Sequence, residues 1–81
     1  MSRDKRRRTE LKTFISENMA KNPKFNELLA KIDTLPPEYI GELYTKLEMI
    51  GPFKAMGMQA MIDKSTKELK NMIELSLRYN E

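Results

Sequence analysis

The spacing of prolines and glycines is the feature that most constrains the fold of this 81-residue chain. Stretches with apolar residues at helical spacing lie between Pro23, the pair Pro36-Pro37 and the pair Gly51-Pro52. Proline suits the first turn of a helix, and glycine suits the position just past a helix end. The chain has no valine and no alternating β-branched run, so no segment favours a strand. The pattern therefore predicts four helical segments.

Apolar residues three and four apart predict the buried faces of the first two helices. The first helix has its apolar face at Leu11, Phe14, Ile15 and Met19. The second begins at Asn22-Pro23, because asparagine is a favoured N-cap and proline is favoured at the first helical position. Its apolar face is Phe25, Leu28, Leu29 and Ile32.

A third helix is predicted to begin at Pro36 or Pro37 and to end at Gly51. Its apolar stripe is Ile40, Leu43, Leu47 and Ile50, with Tyr39 and Tyr44 at the edges. From Pro52 to about Tyr79 nothing forbids one long helix, in which Gly57 is the expected break or bend. That helix has its apolar face at Met58, Met61, Ile62, Leu69, Met72, Ile73, Ser76 and Leu77.

These segments predict an all-α fold, a small helical bundle of about four helical segments with a long C-terminal helix. Residues 1–10 form a basic N-terminal extension or helix start, and residues 11–81 form a single helical domain. A chain of this length buries only ~60–65% of its unfolded surface, which leaves little stability to spare. Oligomerisation is a common remedy, and we expect a homo-oligomer.

The absence of cysteine and histidine narrows the possible functions. Without them the chain lacks a disulfide framework, a thiolate metal site, the commonest general base and the commonest transition-metal ligand. Glu38 and Glu42 lie one turn apart, but paired acids without such neighbours indicate a solvated helix face. We therefore expect no enzyme activity, no catalytic residue, no metal and no cofactor.

The N-terminus does not have the pattern of a membrane or secretion signal. Its basic residues are followed by the polar stretch Thr9-Glu10-Leu11-Lys12 instead of an apolar run, and no segment has the ~18–20 apolar residues of a membrane span. The sequence thus predicts an intracellular, cytoplasmic protein.

Arginine is concentrated at one end of the chain. Residues 3–12 hold six cations and two anions, a net charge of +4 in a chain whose total is +3. A planar guanidinium matches phosphate or carboxylate oxygens, so the cluster favours a polyanionic partner. The candidate nucleic-acid-binding residues are Arg3, Lys5, Arg6, Arg7, Arg8 and Lys12.

The position of this cluster on a helix matters for its function. If the first helix extends back to Arg3, its apolar stripe continues through Asp4, Arg7 and Arg8. A turn charged on every side is expected to project from the bundle or to lie on a polyanion. Replacing Arg6, Arg7 and Arg8 with alanine should then leave the helical signal nearly intact. The alternatives are a solvated start that raises solubility, an acidic protein surface, or an anionic membrane face.

Specific reading of DNA bases is not indicated by the rest of the chain. A helix-turn-helix needs two short helices joined by a tight turn, and Gly51-Pro52 is followed by apolar residues instead of polar ones that contact base edges. A basic helix that runs into a dimerising helix is a closer analogy for residues 3–19. The cluster contains no asparagine, and no heptad zipper follows it.

Methionine marks the second candidate surface, because five of the seven methionines lie in the second half of the chain. Flexible thioethers fit irregular grooves and adapt to partner helices, although they also fill gaps in cores. The apolar residues here spread over most of the helix circumference, which one small bundle cannot cover. The candidate partner or dimer interface is Phe53, Met56, Met58, Met61 and Ile62.

Two functions follow from these two surfaces. One is a nucleic-acid-associated accessory or regulatory protein that binds phosphates, and the other is a protein-binding adaptor or inhibitor. Salt separates them, because phosphate contacts weaken steeply with salt while an apolar contact does not. In overall character the chain is similar in kind to accessory and regulatory proteins of bacteria and their phages, a likeness of composition that names no family.

Overall fold

A computed structural model describes residues 2–79 as four α-helices and a terminal 3-10 turn. The elements are α1 (Arg3–Asn18), α2 (Phe25–Thr34), α3 (Pro37–Ala55), α4 (Gln59–Leu75) and the 3-10 turn Ser76–Arg78. These residues include no strand, and the predicted all-α bundle is confirmed. The predicted ranges 1–10 and 11–81 extend to Met1, Asn80 and Glu81, which lie outside the described residues.

The core draws on all four helices, and twelve apolar side chains are buried in it. They are Leu11, Phe14, Ile15, Met19, Leu28, Ile32, Leu35, Ile40, Leu43, Ile50, Leu69 and Ile73. The predicted face of α1 is confirmed in full, whereas Leu47 is only half-buried and Met58 is exposed. Helix α3 packs on both α1 and α4, and α2 packs on α1. Helices α1 and α4 have little contact with each other.

Helix α3 does not end at Gly51, so that prediction is wrong. The helix passes through Gly51 and Pro52 and continues to Ala55. Proline has no N–H to donate, which removes one helical hydrogen bond, but the bonds resume when Met56 N–H donates to the Pro52 carbonyl at 3.0 Å. Ile50, which lies just before Gly51 and Pro52, is buried in the core. Its packing favours continuation of the helix past the local stop signal.

The predicted break at Gly57 is confirmed. Gly57 has φ 66°, a left-handed conformation that suits glycine because it has no Cβ. Its N–H donates to the Lys54 carbonyl at 3.1 Å, and Met58 N–H donates to the Phe53 carbonyl at 3.0 Å. This pair of bonds is the Schellman pattern that ends a helix. Residues 52–79 are thus divided, and α3, with 19 residues, is longer than α4, with 17.

The starts of α2 and α3 differ in how well the sequence predicted them. Helix α3 begins at Pro37, as predicted. Helix α2 begins at Phe25 instead of Pro23, so the prediction of an Asn22 N-cap is wrong. The Asn22 side chain accepts from Lys24 N–H at 2.8 Å, and the Asn22 carbonyl accepts from Phe25 N–H at 3.0 Å. These bonds form a separate turn before the helix.

The end of the described chain is anchored to α2 and α3. Lys31 Nζ donates to the Tyr79 carbonyl at 2.5 Å and lies 5.9 Å from the centre of the Tyr79 ring. The rings of Tyr39 and Tyr79 meet edge to face, with centroids 5.3 Å apart. Burial, followed by the nearby charge of Glu42, raises the pKa of Tyr39. These contacts close the bundle at the ends of α2 and α4.

Candidate functional site

The basic cluster forms the first turns of α1, and the structure divides it by helical phase. Arg3, Lys5 and Arg6 are exposed, whereas Arg7 and Arg8 are partly buried. The second group lies on the stripe that continues the apolar face of α1, as the sequence indicated. Only part of the predicted nucleic-acid-binding set is therefore displayed to solvent.

Arg8 connects α1 to the end of α2. Its Nε lies 2.7 Å from Asp4 Oδ2, and its Nη1 donates to the Ile32 carbonyl at 2.8 Å. The Arg8 side chain is only 15% exposed. Because the last carbonyls of a helix have no partner within it, a guanidinium there supplies a missing donor and interacts favourably with the helix dipole. Arg8 thus caps α2 from a neighbouring helix.

Two more cations of the predicted set make internal contacts. Lys12 Nζ lies 2.6 Å from Asp33 Oδ1, which forms a second link between α1 and α2. The Arg7 guanidinium lies 5.1 Å from the centre of the Tyr44 ring, within cation–π range. The expectation that this turn projects from the bundle is therefore wrong for Arg7 and Arg8. Their long side chains reach the domain although both end in a charged group.

The link between α3 and α4 exposes methionine. We call residues 53–61, which include the last turn of α3 and the first of α4, the Met turn. Met56 is 72% exposed and Met58 is 39% exposed, while Phe53 and Met61 are half-buried. Ile62, the last member of the predicted interface, is half-buried and packs against the core. Four of the five predicted residues thus lie in the one segment that links α3 and α4.

A depression beside the Met turn was not predicted. It has a volume of about 860 Å³ and is bounded by residues 10–18 of α1, 44–54 of α3 and 62–70 of α4. We call it the bowl. Its apolar lining is Phe14, Leu47, Ile50 and Ile62. The bowl exists because α1 and α4 both pack on α3 but diverge from each other, an arrangement that periodicity within single helices does not reveal.

Charged residues of opposite sign stand around the bowl. The acidic ones lie on α1 and the adjoining side of α3, and the basic ones lie mostly on α4. The acids on the first side are Glu10, Glu17 and Glu48, and the lysines are Lys54, Lys67 and Lys70. Asp63 on α4 departs from this division and accepts from Gln59 Nε2 at 2.8 Å. The charge around the bowl is therefore polarised.

Tyr44 shows the effect of the acidic side. The Glu10 carboxylate favours the protonated phenol as a hydrogen-bond donor, and it raises the pKa of Tyr44. Arg6 Nε lies 4.0 Å from Glu10 Oε1 and opposes this effect. This side of the bowl therefore attracts positive charge.

Two other kinds of site are absent from residues 2–79. That part of the chain brings together no group of three or more acidic side chains suited to a metal ion. None of its helices combines the length and apolar character needed to span a bilayer.

Comparison with models of protein families, with curated proteins and with solved structures finds no match to this chain. The candidate functional surfaces are the exposed cations of α1, the Met turn and the bowl.

Proposed function

We propose that the protein is a non-catalytic protein-binding module, an adaptor or inhibitor, whose contact surface is the Met turn. The observation that carries this proposal is the exposure of Met56 and Met58, at 72% and 39%, two positions apart in the link between α3 and α4. Contiguous apolar side chains on the surface of a small domain mark sites of interaction. The expected cytoplasmic location stays a prediction.

The chemistry of methionine supports an adaptable contact. Its unbranched side chain has three rotatable bonds and a polarisable sulfur, so it can fit a partner surface without a change in the backbone. The Schellman bonds at Gly57 fix the backbone that carries these side chains. Less backbone entropy is then lost when the partner binds.

The test is retention of protein partners from lysate by the immobilised chain. The variant that combines Met56→Gln with Met58→Gln keeps the length of both side chains but removes their apolar ends. Leu75→Gln is the matched control, because Leu75 is an exposed apolar residue, 54% exposed, outside the Met turn. We expect the parent and the control to retain the same protein at ~1 M salt, where exposed charges are screened within ~3 Å.

The double variant should lose that protein. Equal retention by the double variant would rule out the Met turn as the contact surface. Loss of the protein from the parent after nuclease treatment would instead indicate that nucleic acid mediates the contact.

Nucleic-acid binding is the second candidate function, and the exposure of Arg3, Lys5 and Arg6 favours it. Arg7, Arg8 and Lys12 already make internal contacts, so three cations are the set best placed for phosphates. Replacing the three exposed cations with alanine should reduce the slope of log affinity against log salt by up to ~3.

A matched triple variant separates local contacts from net charge. Lys21, Lys24 and Lys64 are exposed cations elsewhere on the domain, and their replacement with alanine removes the same charge. If both triple variants lower nucleic-acid affinity equally, the first turns of α1 are not a binding site. If the parent does not bind nucleic acid at low salt, this second function is excluded.

A further inference from the structure

Methionine carries the only sulfur in this chain, because the sequence has seven methionines and no cysteine. Peroxides convert an accessible methionine to its sulfoxide, which turns a flexible apolar side chain into a polar one. No thiol of the chain competes for the oxidant. The exposure of each methionine therefore decides where this chemistry takes place.

Exposure divides the methionines of residues 2–79 into accessible and protected ones. Met56, Met49 and Met58 are exposed, at 72%, 45% and 39%. Met19 is 4% exposed in the core, and Met72 is half-buried against it. Two of these three exposed methionines thus lie in the Met turn, the proposed contact surface.

We propose that the Met turn is a reversible oxidation site, at which hydrogen peroxide converts Met56 and Met58 to methionine sulfoxide. The contact surface then loses its apolar character while the domain stays folded. This inference rests on the Met turn being the contact surface of the proposed function, and it adds a means by which binding at that surface is regulated.

The chemistry needs only the peroxide and, for reversal, a pair of thiols. The O–O bond of hydrogen peroxide breaks, one oxygen forms an S–O bond with the thioether, and the other leaves as water. The sulfur loses two electrons and the peroxide gains them. In the reverse step two thiols supply two electrons, become a disulfide and release the sulfoxide oxygen as water, a reaction that methionine sulfoxide reductases catalyse.

The fold should survive oxidation at these two positions. Neither Met56 nor Met58 belongs to the core or packs against it. Their structural contribution comes from the backbone, since Met56 N–H donates to the Pro52 carbonyl and Met58 N–H to the Phe53 carbonyl, both at 3.0 Å. A sulfoxide at the end of the side chain leaves these bonds in place.

Oxidation should weaken binding, because a sulfoxide oxygen is a polar acceptor. Burying a polar group without a hydrogen-bond partner costs free energy, whereas the thioether that it replaces is apolar. A partner surface that fits Met56 and Met58 would therefore bury two unpaired acceptors. Met49 lies within α3 and outside residues 53–61, so its oxidation should affect binding little.

The first test maps the oxidation of the purified full chain by hydrogen peroxide. Samples are quenched at intervals, and mass spectrometry of the digested chain measures the sulfoxide fraction at each methionine. Met56 should react fastest, and Met19 should react at least ~10 times more slowly than Met56 and Met58. Equal rates at Met19 and Met56 would overturn the proposal, because oxidation would then not select the exposed turn.

The second test compares apolar surface and fold before and after oxidation. The oxidised parent should elute earlier from a phenyl column and keep its helical signal in circular dichroism. Treatment with methionine sulfoxide reductases and a dithiol should restore the original elution. An unchanged elution would overturn the proposal. A loss of helical signal would also overturn it, because oxidation would then act on the fold.

Two matched double variants assign the change to the Met turn. Met56→Leu with Met58→Leu keeps both positions apolar but removes their sulfur, and Met49→Leu with Met72→Leu removes as many methionines elsewhere. Exchange of methionine for leucine nearly conserves volume and is well tolerated. The first variant should lose most of the change in elution, and the second should keep most of it. Equal changes in both would place the effect outside the Met turn and overturn the proposal.

The lysate experiment distinguishes a failure of this proposal from a failure of the proposed function. The immobilised chain is oxidised and washed before lysate is added. The oxidised parent should lose the protein that the untreated parent retains, whereas the variant with leucine at both positions of the Met turn should still retain it. Equal retention by the oxidised and untreated parent contradicts only the oxidation proposal. No retained protein on the untreated parent contradicts only the adaptor function, because the peroxide mapping and the elution change need no partner.

Discussion

The first turns of α1 and the Met turn differ in how far their side chains are exposed to solvent. Both are unusual in composition, and the sequence alone predicts both as exposed contact surfaces. The structure brings Arg7 and Arg8 of the first region into contact with the domain, whereas Met56 of the second stays 72% exposed. Charged residues thus lie further inside than the most exposed apolar ones.

Helical phase and side-chain length explain this inversion. Arg7 and Arg8 lie on the stripe that continues the core face of α1, and their apolar stems can lie along the domain while the guanidinium reaches a polar partner. Residues 54–60 of the Met turn are all exposed. Position relative to neighbouring helices, more than residue type, decides what this small domain displays.

The largest expected effects concern the core that supports both regions. Leu28→Ala and Leu43→Ala should each lower the free energy of unfolding by ~2–5 kcal/mol, because both side chains are fully buried. The sequence predicts the same loss for Leu47→Ala, but Leu47 is half-buried in the lining of the bowl and should cost less. Chemical denaturation measures all three. An equal loss for Leu47→Ala would show that the bowl is closed in solution.

The next effect compares a partly buried arginine of α1, Arg8, with an exposed one, Arg6. Arg8→Ala should lower the free energy of unfolding by ~1.5–3 kcal/mol, because it removes hydrogen bonds of a charged donor and leaves the Ile32 carbonyl without that donor. Arg6 is an exposed control on the same turn, and Arg6→Ala should change stability by less than ~0.5 kcal/mol. Denaturant midpoints of the two single variants make the comparison.

Arg8 links α1 to α2. We therefore no longer expect the helical signal to stay intact when Arg6, Arg7 and Arg8 are replaced together. Equal, small effects of Arg8→Ala and Arg6→Ala would mean that the α1–α2 link contributes little. The first turns of α1 would then add little to the stability of the fold.

The sequence predicted what depends on local chemistry and missed what depends on packing between helices. The apolar face of α1 and the break at Gly57 follow from spacing and from the conformational freedom of glycine. The continuation of α3 through Pro52 is favoured by the burial of Ile50 in the core, which the local sequence signal does not contain. The bowl required knowledge of how α1 and α4 diverge on α3, which periodicity does not contain.

A smaller effect tests the backbone that holds the Met turn outside the core. Gly57→Ala should lower stability by ~1–2 kcal/mol, because a side chain is unfavourable in the left-handed conformation at φ 66°. Gly51→Ala is the control with the opposite sign. Gly51 is helical, and no atom beyond its own stretch of helix lies within 4 Å of the place where an alanine methyl would sit, so alanine should stabilise by up to ~1 kcal/mol. Thermal unfolding measures both variants. A neutral Gly57→Ala would contradict the predicted cost of a side chain in this left-handed conformation.

The smallest expected effect concerns the ion pair that joins α3 and α4. Lys46 Nζ lies 2.8 Å from Glu68 Oε2, and this hydrogen bond, followed by the charge of Lys46, lowers the pKa of Glu68 below 4.5. A carboxyl whose pKa is lower in the folded state stabilises the fold above its unfolded pKa, and that stability is lost as pH falls through the folded pKa. The free energy of unfolding of the parent should therefore exceed that of Glu68→Gln near pH 6, and the difference should shrink as the pH falls below about 4.5. The same substitution in a Lys46→Met background should lose most of this change with pH, because the two largest causes of the lowered pKa are gone and only the charge of Lys64 still lowers it. Denaturation of the four proteins from pH 6 to below the folded pKa completes the cycle, and a pH-dependent difference that persists undiminished without Lys46 would contradict the assignment to that lysine.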